Sequence, residues 1–407
     1  MKNHLIGGHK MKKVVYSISF VAVCSILFFI LIKTNILDIS FSDKGVTKAV
    51  NHLPEAQVTE DSAEPIENNS PSEGKEQDEE TNTPPITLVP YNGIVEHIFF
   101  HPLIVYPELA FDGDYQEQGY NDYFTTIPEF ERIIEELYKR DFILVHLSDV
   151  YEEANGQVVA RTLQLPEGKK PIVISIDDLN YYEYMIENGN AYKLILDENG
   201  KIATYSKDPY GNDVVSYTDE IVTILDTFVE KHPDFSHEGA KGTIALTGYE
   251  GILGYRTQEG SPNRASEIEE AKKIVAELKD TGWIFASHSY GHINVTNVSL
   301  NHLISDSEAW KREVEPLVGP TPLFIYPYGA RADYNSEKFK YLVKSGFKVI
   351  SAVGPTSYTK VINGAYTMDR RHMDGIGFIL QPHTMTDLFD VNYVLDTVNR
   401  PKKYWVK

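Results

Sequence analysis

The stretch Pro171-Ile-Val-Ile-Ser-Ile-Asp177-Asp178-Leu-Asn-Tyr181-Tyr182 decides how the chain is organised. Its β-branched residues predict a short apolar strand of the kind that is buried on both faces. The strand runs into two adjacent carboxylates, Asp177 and Asp178, whose side chains would point to opposite faces if the strand continued. We therefore expect the backbone to bend here, so that both carboxylates reach one site. Carboxylates at the end of a parallel strand are common in α/β active sites.

A second apolar run ends in a pair of histidines. Residues 283–287 predict a strand, and His288-Ser-Tyr-Gly-His292 follows it directly. Two imidazoles spaced in this way can converge on one ion, and two His nitrogens with one carboxylate oxygen form a usual ligand set for catalytic zinc. The sequence thus offers a metal triad of Asp178, His288 and His292, with Asp177 beside it as a candidate base.

Each half of this pattern also has a purely structural interpretation. An aspartate at a strand end is often a helix cap or a turn residue, and an isolated His-x-x-x-His need not bind a metal. Both halves follow apolar strands, however, and that pairing favours the functional interpretation.

Ser175-Ile-Asp177-Asp178-Leu179 and His288-Ser-Tyr-Gly-His292 resemble the first two motifs of the polysaccharide deacetylase superfamily, which are metal-dependent carbohydrate esterases. The resemblance runs roughly from His97 to the C-terminus. It implies a distorted (β/α) barrel and a divalent metal, most commonly zinc, on Asp178, His288 and His292. It also implies that Asp177 is the general base.

A third motif of the superfamily, near Arg-x-Pro-Tyr-Gly, is partly present at Pro327-Tyr328-Gly329. The resemblance implies that the backbone amide of Tyr328 donates to the oxyanion. The arginine that braces the base in relatives falls on Ile325, so we expect a substitute, and Arg331 is near enough in sequence to be one. A plain Pro-Tyr-Gly turn is the structural alternative. We also expect Tyr290, Tyr328 and Arg331 to contact substrate.

The general acid is the least clear position. Relatives carry it in a Leu-x-His element preceded by Asp-x-Trp, and neither element stands at the family spacing here. His383 is our candidate acid, with His372 as the alternative. His101, at the end of the first strand of the domain, either lines the site or is a hydrogen-bonded structural histidine.

The composition narrows the classes of function. A net charge of -21 over 407 residues argues against nucleic acid as a partner. Cys24 is the only cysteine, so no disulfide can form within the chain, and any metal must bind His, Asp or Glu.

The N-terminal part of the chain predicts a membrane anchor. Residues 1–13 form a basic tail, and residues 14–32 are uncharged and apolar, long enough to cross a hydrocarbon layer of about 30 Å. The lysines before this segment favour an orientation with the N-terminus inside. A cleaved signal peptide is the alternative, but no small-x-small site follows. Residues 33–90 predict an acidic, disordered linker, and residues 91–407 predict a catalytic domain outside the cytoplasm.

Residues 219–353 alternate between helical and strand patterns, which predicts a parallel sheet covered by helices. About seven strands are enough for a barrel, although spacing alone leaves an open sheet possible. Apolar and polar residues alternate on both sides of Asn199-Gly200. This pattern predicts a β-hairpin, which we expect to be an insertion over the mouth of the site. A helix is predicted over residues 126–138, where a Thr cap and an early Pro precede an amphipathic pattern.

These observations predict a metal-dependent hydrolase that removes N-acetyl groups from an envelope polysaccharide, such as peptidoglycan or an N-acetylglucosamine polymer. The alternative is a glycan-binding protein on the same fold that is catalytically weak or inactive. The missing arginine and tryptophan support that alternative. The sequence does not indicate the oligomeric state.

Overall fold

In the computed structural model, residues 87–405 are described. The predicted basic tail, the predicted anchor over residues 14–32 and nearly all of the predicted linker lie outside these residues. Within residues 87–405, no helix combines the length and the apolar character needed to cross a membrane.

Seven strands form a closed parallel barrel in which neighbours in the barrel are also neighbours in the chain. They are β1 (Glu96–Phe100), β2 (Lys170–Asp177), β3 (Thr243–Leu246), β4 (Ile284–Ser287), β5 (Leu323–Ile325), β6 (Val349–Val353) and β7 (Ala365–His372). β7 pairs with β1 and closes the ring. The predicted barrel is therefore confirmed, and the open sheet is excluded.

Further strands lie outside the ring. Phe142–Leu144 pairs in parallel with the first residues of β2, whereas β3 pairs with its last residues. Tyr358–Ile362 forms an antiparallel hairpin with β7. The remaining strands are Leu88–Pro90, Tyr151–Ala154, Gln157–Ala160, Gln164–Pro166, Lys193–Leu196, Ile202–Lys207 and Asp213–Ser216.

Helices surround the barrel. The α-helices are Pro107–Ala110, Glu117–Tyr123, Ile127–Lys139, Glu183–Glu187, Ile221–Lys231, Arg264–Asp280, Leu300–Glu313, Glu315–Val318, Glu337–Lys344 and Val391–Val394. Short 3₁₀ turns are Leu147–Val150, Pro233–Phe235, Pro327–Gly329, Pro382–Thr384 and Lys402–Tyr404, and Ile376–Leu380 is a π turn.

Alternation along β2 explains how the barrel is filled. Ile172, Ile174 and Ile176 are fully buried against the surrounding helices, while Val173 packs with apolar residues of the neighbouring strands. Ser175 shares this inner face, where its hydroxyl is 2.9 Å from Nε2 of His97. Successive side chains of a strand point to opposite faces, so Asp177 also belongs to the inner face.

The predicted hairpin is present and is longer than expected. Lys193–Leu196 pairs with Ile202–Lys207, and Asp213–Ser216 adds a third strand that was not predicted. This small sheet packs against the helices Ile221–Lys231 and Arg264–Asp280. It therefore covers the outside of the barrel.

Candidate metal centre and active site

The chain bends where β2 ends, as predicted. Asp177 is the last residue of β2, and Asp178 follows with φ of 60°, a region that residues with a Cβ rarely adopt. The Asp178 amide still donates to the Ala245 carbonyl of β3 at 3.1 Å. The turn at Asp178 lets two consecutive carboxylates face the same end of the barrel.

Asp178, His288 and His292 come together at this end. Each offers one ligand atom, and these atoms all lie within 4.8 Å of one another. Nε2 of His292 is 3.3 Å from Oδ2 of Asp178, and the other oxygen, Oδ1, accepts a hydrogen bond from the Tyr182 hydroxyl at 2.6 Å. Tyr182 therefore orients the carboxylate and leaves Oδ2 toward the imidazoles.

The donor set fits a divalent metal ion. Nδ1 of His288 donates to the Ile325 carbonyl at 2.9 Å, which leaves Nε2 unprotonated in the neutral ring. Burial lowers the pKa of His292 to about 4 despite the opposing charge of Asp178, so this imidazole is neutral at pH 7. Burial would raise the pKa of Asp178, but His292 and His288 outweigh it and lower the pKa. Two imidazoles and one carboxylate are a usual zinc ligand set.

Asp177 lies beside this triad and is held as an anion. Its Oδ2 is 3.8 Å from Nε2 of His288. Arg370 donates to both of its oxygens, from Nη1 to Oδ1 at 2.7 Å and from Nη2 to Oδ2 at 2.9 Å. Burial alone would raise the pKa of Asp177, but the Arg370 guanidinium outweighs it and holds the pKa well below its usual range. Arg370 therefore keeps Asp177 in the ionised form that can accept a proton, and by lowering the pKa it also makes this carboxylate a weaker base.

Tyr328 occupies the turn that follows β5. Its φ is 58°, and its ring centroid is 4.5 Å from that of His292. Within residues 87–405, the Tyr328 amide has no hydrogen-bond acceptor. Gly329 is required next to it, because a Cβ there would lie 2.6 Å from the Cβ of Val353. The turn thus presents an unused backbone donor beside the triad.

A family comparison agrees with this geometry. Residues 260–350 match the family model described as polysaccharide deacetylase. The matched segment contains His288, His292 and Tyr328. This part of the chain is therefore similar to polysaccharide deacetylases. The match supports a hydrolase that deacetylates a glycan.

Several solved deacetylase structures are similar to this chain. A Streptococcus pyogenes deacetylase, PplD, in complex with acetate is 14% identical, with a TM-score of 0.42, over 71% of this chain and 94% of the other. BC0361, a polysaccharide deacetylase from Bacillus cereus, is 15% identical, with a TM-score of 0.41, over 73% and 69%. IcaB from Ammonifex degensii is 15% identical, with a TM-score of 0.35, over 64% and 83%. No curated protein matches the sequence.

The arginine that braces the candidate base comes from an unexpected strand. We expected Arg331 as the substitute, and this prediction is wrong, because Arg331 pairs with Asp369 at 2.7 Å. Arg370 of β7 braces Asp177 instead, and its guanidinium lies 4.1 Å from the centroid of the Phe99 ring. In the sequence, this arginine stands in Met-Asp-Arg-Arg-His, residues 368–372, from which the prediction used only the histidine.

Three histidines remain as candidates for the general acid. His101 has Nδ1 2.9 Å from the Tyr123 carbonyl, and it is near enough to the site to contribute to the lowered pKa values of Asp177, Asp178 and His292. His372 has Nδ1 2.8 Å from Oδ1 of Asp374; burial would lower its pKa, but Asp374 outweighs this and raises it. For His101, the two interpretations offered by the sequence, a residue near the site and a hydrogen-bonded structural histidine, are therefore compatible.

His383, our first candidate for the acid, lies elsewhere. It stands in the turn Pro382–Thr384 and lines a cavity of about 720 Å³ with apolar residues that include Phe378, Phe389 and Trp405. The lining contains none of the metal triad and not Asp177. Its role as acid stays a prediction.

The two other predicted substrate contacts have structural partners. The Tyr290 hydroxyl donates to Oε2 of Glu313 at 3.0 Å, and its ring packs beside Gly248. Arg331 also donates to the Tyr334 hydroxyl at 3.1 Å. Contact of Tyr290 and Arg331 with substrate stays a prediction. Tyr328 is the most open of the three, with 64% of its surface exposed.

Proposed function

We propose that the protein is a metal-dependent N-deacetylase that releases acetate from an N-acetylated polysaccharide of the cell envelope. The observation that carries the proposal is the convergence of Asp178, His288 and His292 beside the ionised Asp177. A divalent ion held by the triad, zinc in our proposal, supplies Lewis-acid activation of a water and of the acetyl carbonyl. Zinc is favoured by the two imidazoles and one carboxylate.

Asp177 is the proposed general base. Its carboxylate accepts the proton of the attacking water, while Arg370 keeps it ionised and fixes its plane through two hydrogen bonds. Because the Asp177 carboxyl is buried, bulk water does not compete for the transferred proton. Asp177 therefore acts on the water and not on the sugar.

The remaining steps use groups on the other strand ends. The Tyr328 amide is positioned to donate to the oxyanion that forms on the acetyl carbonyl, an interaction typically worth about 3 kcal/mol. Nε2 of His101 is the proposed proton donor to the departing amine, because Nδ1 is engaged by the Tyr123 carbonyl and Nε2 is the ring nitrogen left to carry the transferred proton. The products would be acetate and a free amino sugar.

The proposed location follows from the predicted anchor. An uncleaved segment over residues 14–32 would place the catalytic domain outside the cytoplasm, on a linker that reaches the envelope polymer. We propose a single-pass protein of the cell membrane with peptidoglycan or an N-acetylglucosamine polymer as substrate. The acidic charge of the chain is consistent with a partner other than nucleic acid.

Acetate release by the full chain in detergent tests the proposal. We expect release from N-acetylglucosamine oligomers or from isolated cell wall, loss of release with a chelator and recovery with zinc. Asp177→Asn should abolish release and keep the metal, whereas His288→Ala should lose both. Asp387→Asn is a matched control, because Asp387 also accepts two hydrogen bonds from an arginine of β7, Arg371, but lies outside the site.

The outcome also separates the proposal from its alternative. Stoichiometric metal without acetate release from any of these substrates would favour a glycan-binding protein. The missing arginine had supported that alternative, and Arg370 removes this support because it braces Asp177 from β7.

A further inference from the structure

The loop between the two candidate histidine ligands has an unfavourable backbone. Ser289 and His292 have φ of 58° and 50°, so two residues that carry a Cβ stand in the left-handed region within five positions. Backbone conformations of this kind persist only where the surroundings hold them in place. The groups that hold this loop therefore decide where the imidazoles of His288 and His292 point.

The side chain of Asp306, which lies outside the barrel, accepts hydrogen bonds from the middle of this loop. It lies on the helix Leu300–Glu313 and is 7% exposed. Its Oδ1 accepts from the Tyr290 amide at 2.8 Å, and its Oδ2 accepts from the Gly291 amide at 2.7 Å. The fit is close, because a Cβ on Gly291 would lie 3.3 Å from Oδ2. One carboxylate thus satisfies two consecutive amides between the ligands.

Other contacts hold different atoms of the loop and leave the two central amides to Asp306. The Ser289 hydroxyl accepts from the Ile293 amide at 3.0 Å. The Tyr290 carbonyl accepts from the amides of Gly248 and Tyr249 at 2.9 and 3.2 Å. No other side chain within residues 87–405 accepts a hydrogen bond from the amides of Tyr290 or Gly291.

We propose that Asp306 is a positioning residue of the metal centre, which sets the spacing and direction of His288 and His292 through the loop that joins them. The inference rests on the proposed function, because it assumes that the triad binds a metal. Asp306 is not one of the three ligand residues and acts only through backbone amides. Loss of a group that orients metal ligands typically weakens metal affinity by about 10–100-fold.

Zinc titration of the metal-free full chain against a chromophoric chelator tests this role. Asp306→Asn keeps the shape but can accept from only one of the two amides, and Asp306→Ala accepts from neither. We expect zinc affinity to fall by about tenfold in the first and further in the second. Excess zinc should restore much of the acetate release of Asp306→Asn, with KM for the glycan unchanged.

Asp226→Asn is the matched control for burial. Asp226 lies on another outer helix, is also 7% exposed, and accepts from Nζ of Lys241 at 2.7 Å and from Nε1 of Trp283 at 3.0 Å. This variant should lose thermal stability as Asp306→Asn does, yet bind zinc with the affinity of the wild type. A purely structural carboxylate changes Tm and not affinity.

The outcomes separate this inference from the proposed function. If the wild type binds zinc and Asp306→Asn binds it equally well, the positioning role is overturned while the proposed function stands. If Asp306→Asn does not fold although Asp226→Asn does, Asp306 is a determinant of folding and the inference is also overturned. If the wild type binds no divalent metal, the proposed function itself fails.

Discussion

Asp177 and Glu220 are both buried carboxylates, and their surroundings drive their pKa values in opposite directions. Beside Asp177, the Arg370 guanidinium overcomes the effect of burial and keeps the group ionised. Glu220 is fully buried with no cation among its partners, and burial raises its pKa from 4.5 to about 8. At pH 7, Asp177 is ionised because an arginine is its partner. Glu220 keeps its proton because its partners are only neutral hydrogen-bond donors.

Glu220 predicts a pH dependence of stability. The folded protein holds this proton between pH 4.5 and about 8, where the unfolded chain has lost it, so the free energy of unfolding falls as pH rises through this range. Glu220→Gln has no such proton to lose, and its Oε1 can still accept from the amides of Ile221 and Leu103. Relative to the wild type, it should gain roughly 2–5 kcal/mol of stability between pH 5 and pH 9.

Denaturant unfolding at a series of pH values measures this difference. Tyr181, which donates to Oε2, and Asp219 are the titratable groups that act on Glu220. Glu230→Gln is the control, because Glu230 is on the same helix but forms only an exposed ion pair with Lys201. A Glu220→Gln difference that stays constant with pH would show that Glu220 is ionised in the folded protein at neutral pH.

At the scale of elements, the turns at the strand ends form the site, and only part of them was readable from sequence. The bend at Asp178 followed from two carboxylates that had to reach one place. The strand β7 was missed, because its residues 368–372 read as a polar, charged segment. Arg370 and Arg371 are nevertheless buried, since each is paired with carboxylates that lie far away in the chain. Pairing between distant residues leaves no local pattern to read.

The turn Pro327–Gly329 gives a prediction at this scale. A Cβ at Gly329 would have to displace Val353, and φ of 60° is unfavourable for alanine. Gly329→Ala should therefore move the Tyr328 amide and lower kcat about 100-fold, as expected for loss of one oxyanion donor. Zinc affinity should not change, because the triad comes from other turns.

Gly200→Ala is the matched control for the glycine substitution. Gly200 has φ of +81° in the hairpin turn, and nothing lies within 4 Å of its Cβ position. This variant should lose about 1 kcal/mol of stability and keep kcat. If Gly329→Ala keeps the kcat of the wild type, the Tyr328 amide is not the oxyanion donor.

At the scale of the molecule, the alternation of helices and strands predicted a parallel sheet, and the resemblance implied that the sheet forms a barrel. Spacing alone left an open sheet possible, because closure depends on the pairing of β7 with β1. The general acid could not be read from motif spacing. His101 follows β1, and its place beside the end of β2 depends on direct pairing between two strands that are distant in the chain. The anchor and the linker remain predictions from sequence.

A metal that binds the folded domain must also stabilise it. At a free zinc concentration of 100 times Kd, the free energy of unfolding should rise by about 2.7 kcal/mol, and Tm should rise by several degrees. The rise is expected because the triad is assembled only by the fold, from β2 and β4. Differential scanning calorimetry with zinc and with chelator measures it. His288→Ala should show no zinc-dependent shift, and an equal shift in that variant would place the metal elsewhere.

The position of the ion itself tests the central claim most directly. Crystals of the zinc-loaded protein, measured at the zinc absorption edge, should show an anomalous peak about 2.0–2.2 Å from Oδ2 of Asp178 and from Nε2 of both His288 and His292. Asp177 should stand beside the peak without contacting it, still paired with Arg370. A peak bound by other residues, or none between these three atoms at full zinc loading, would contradict the account.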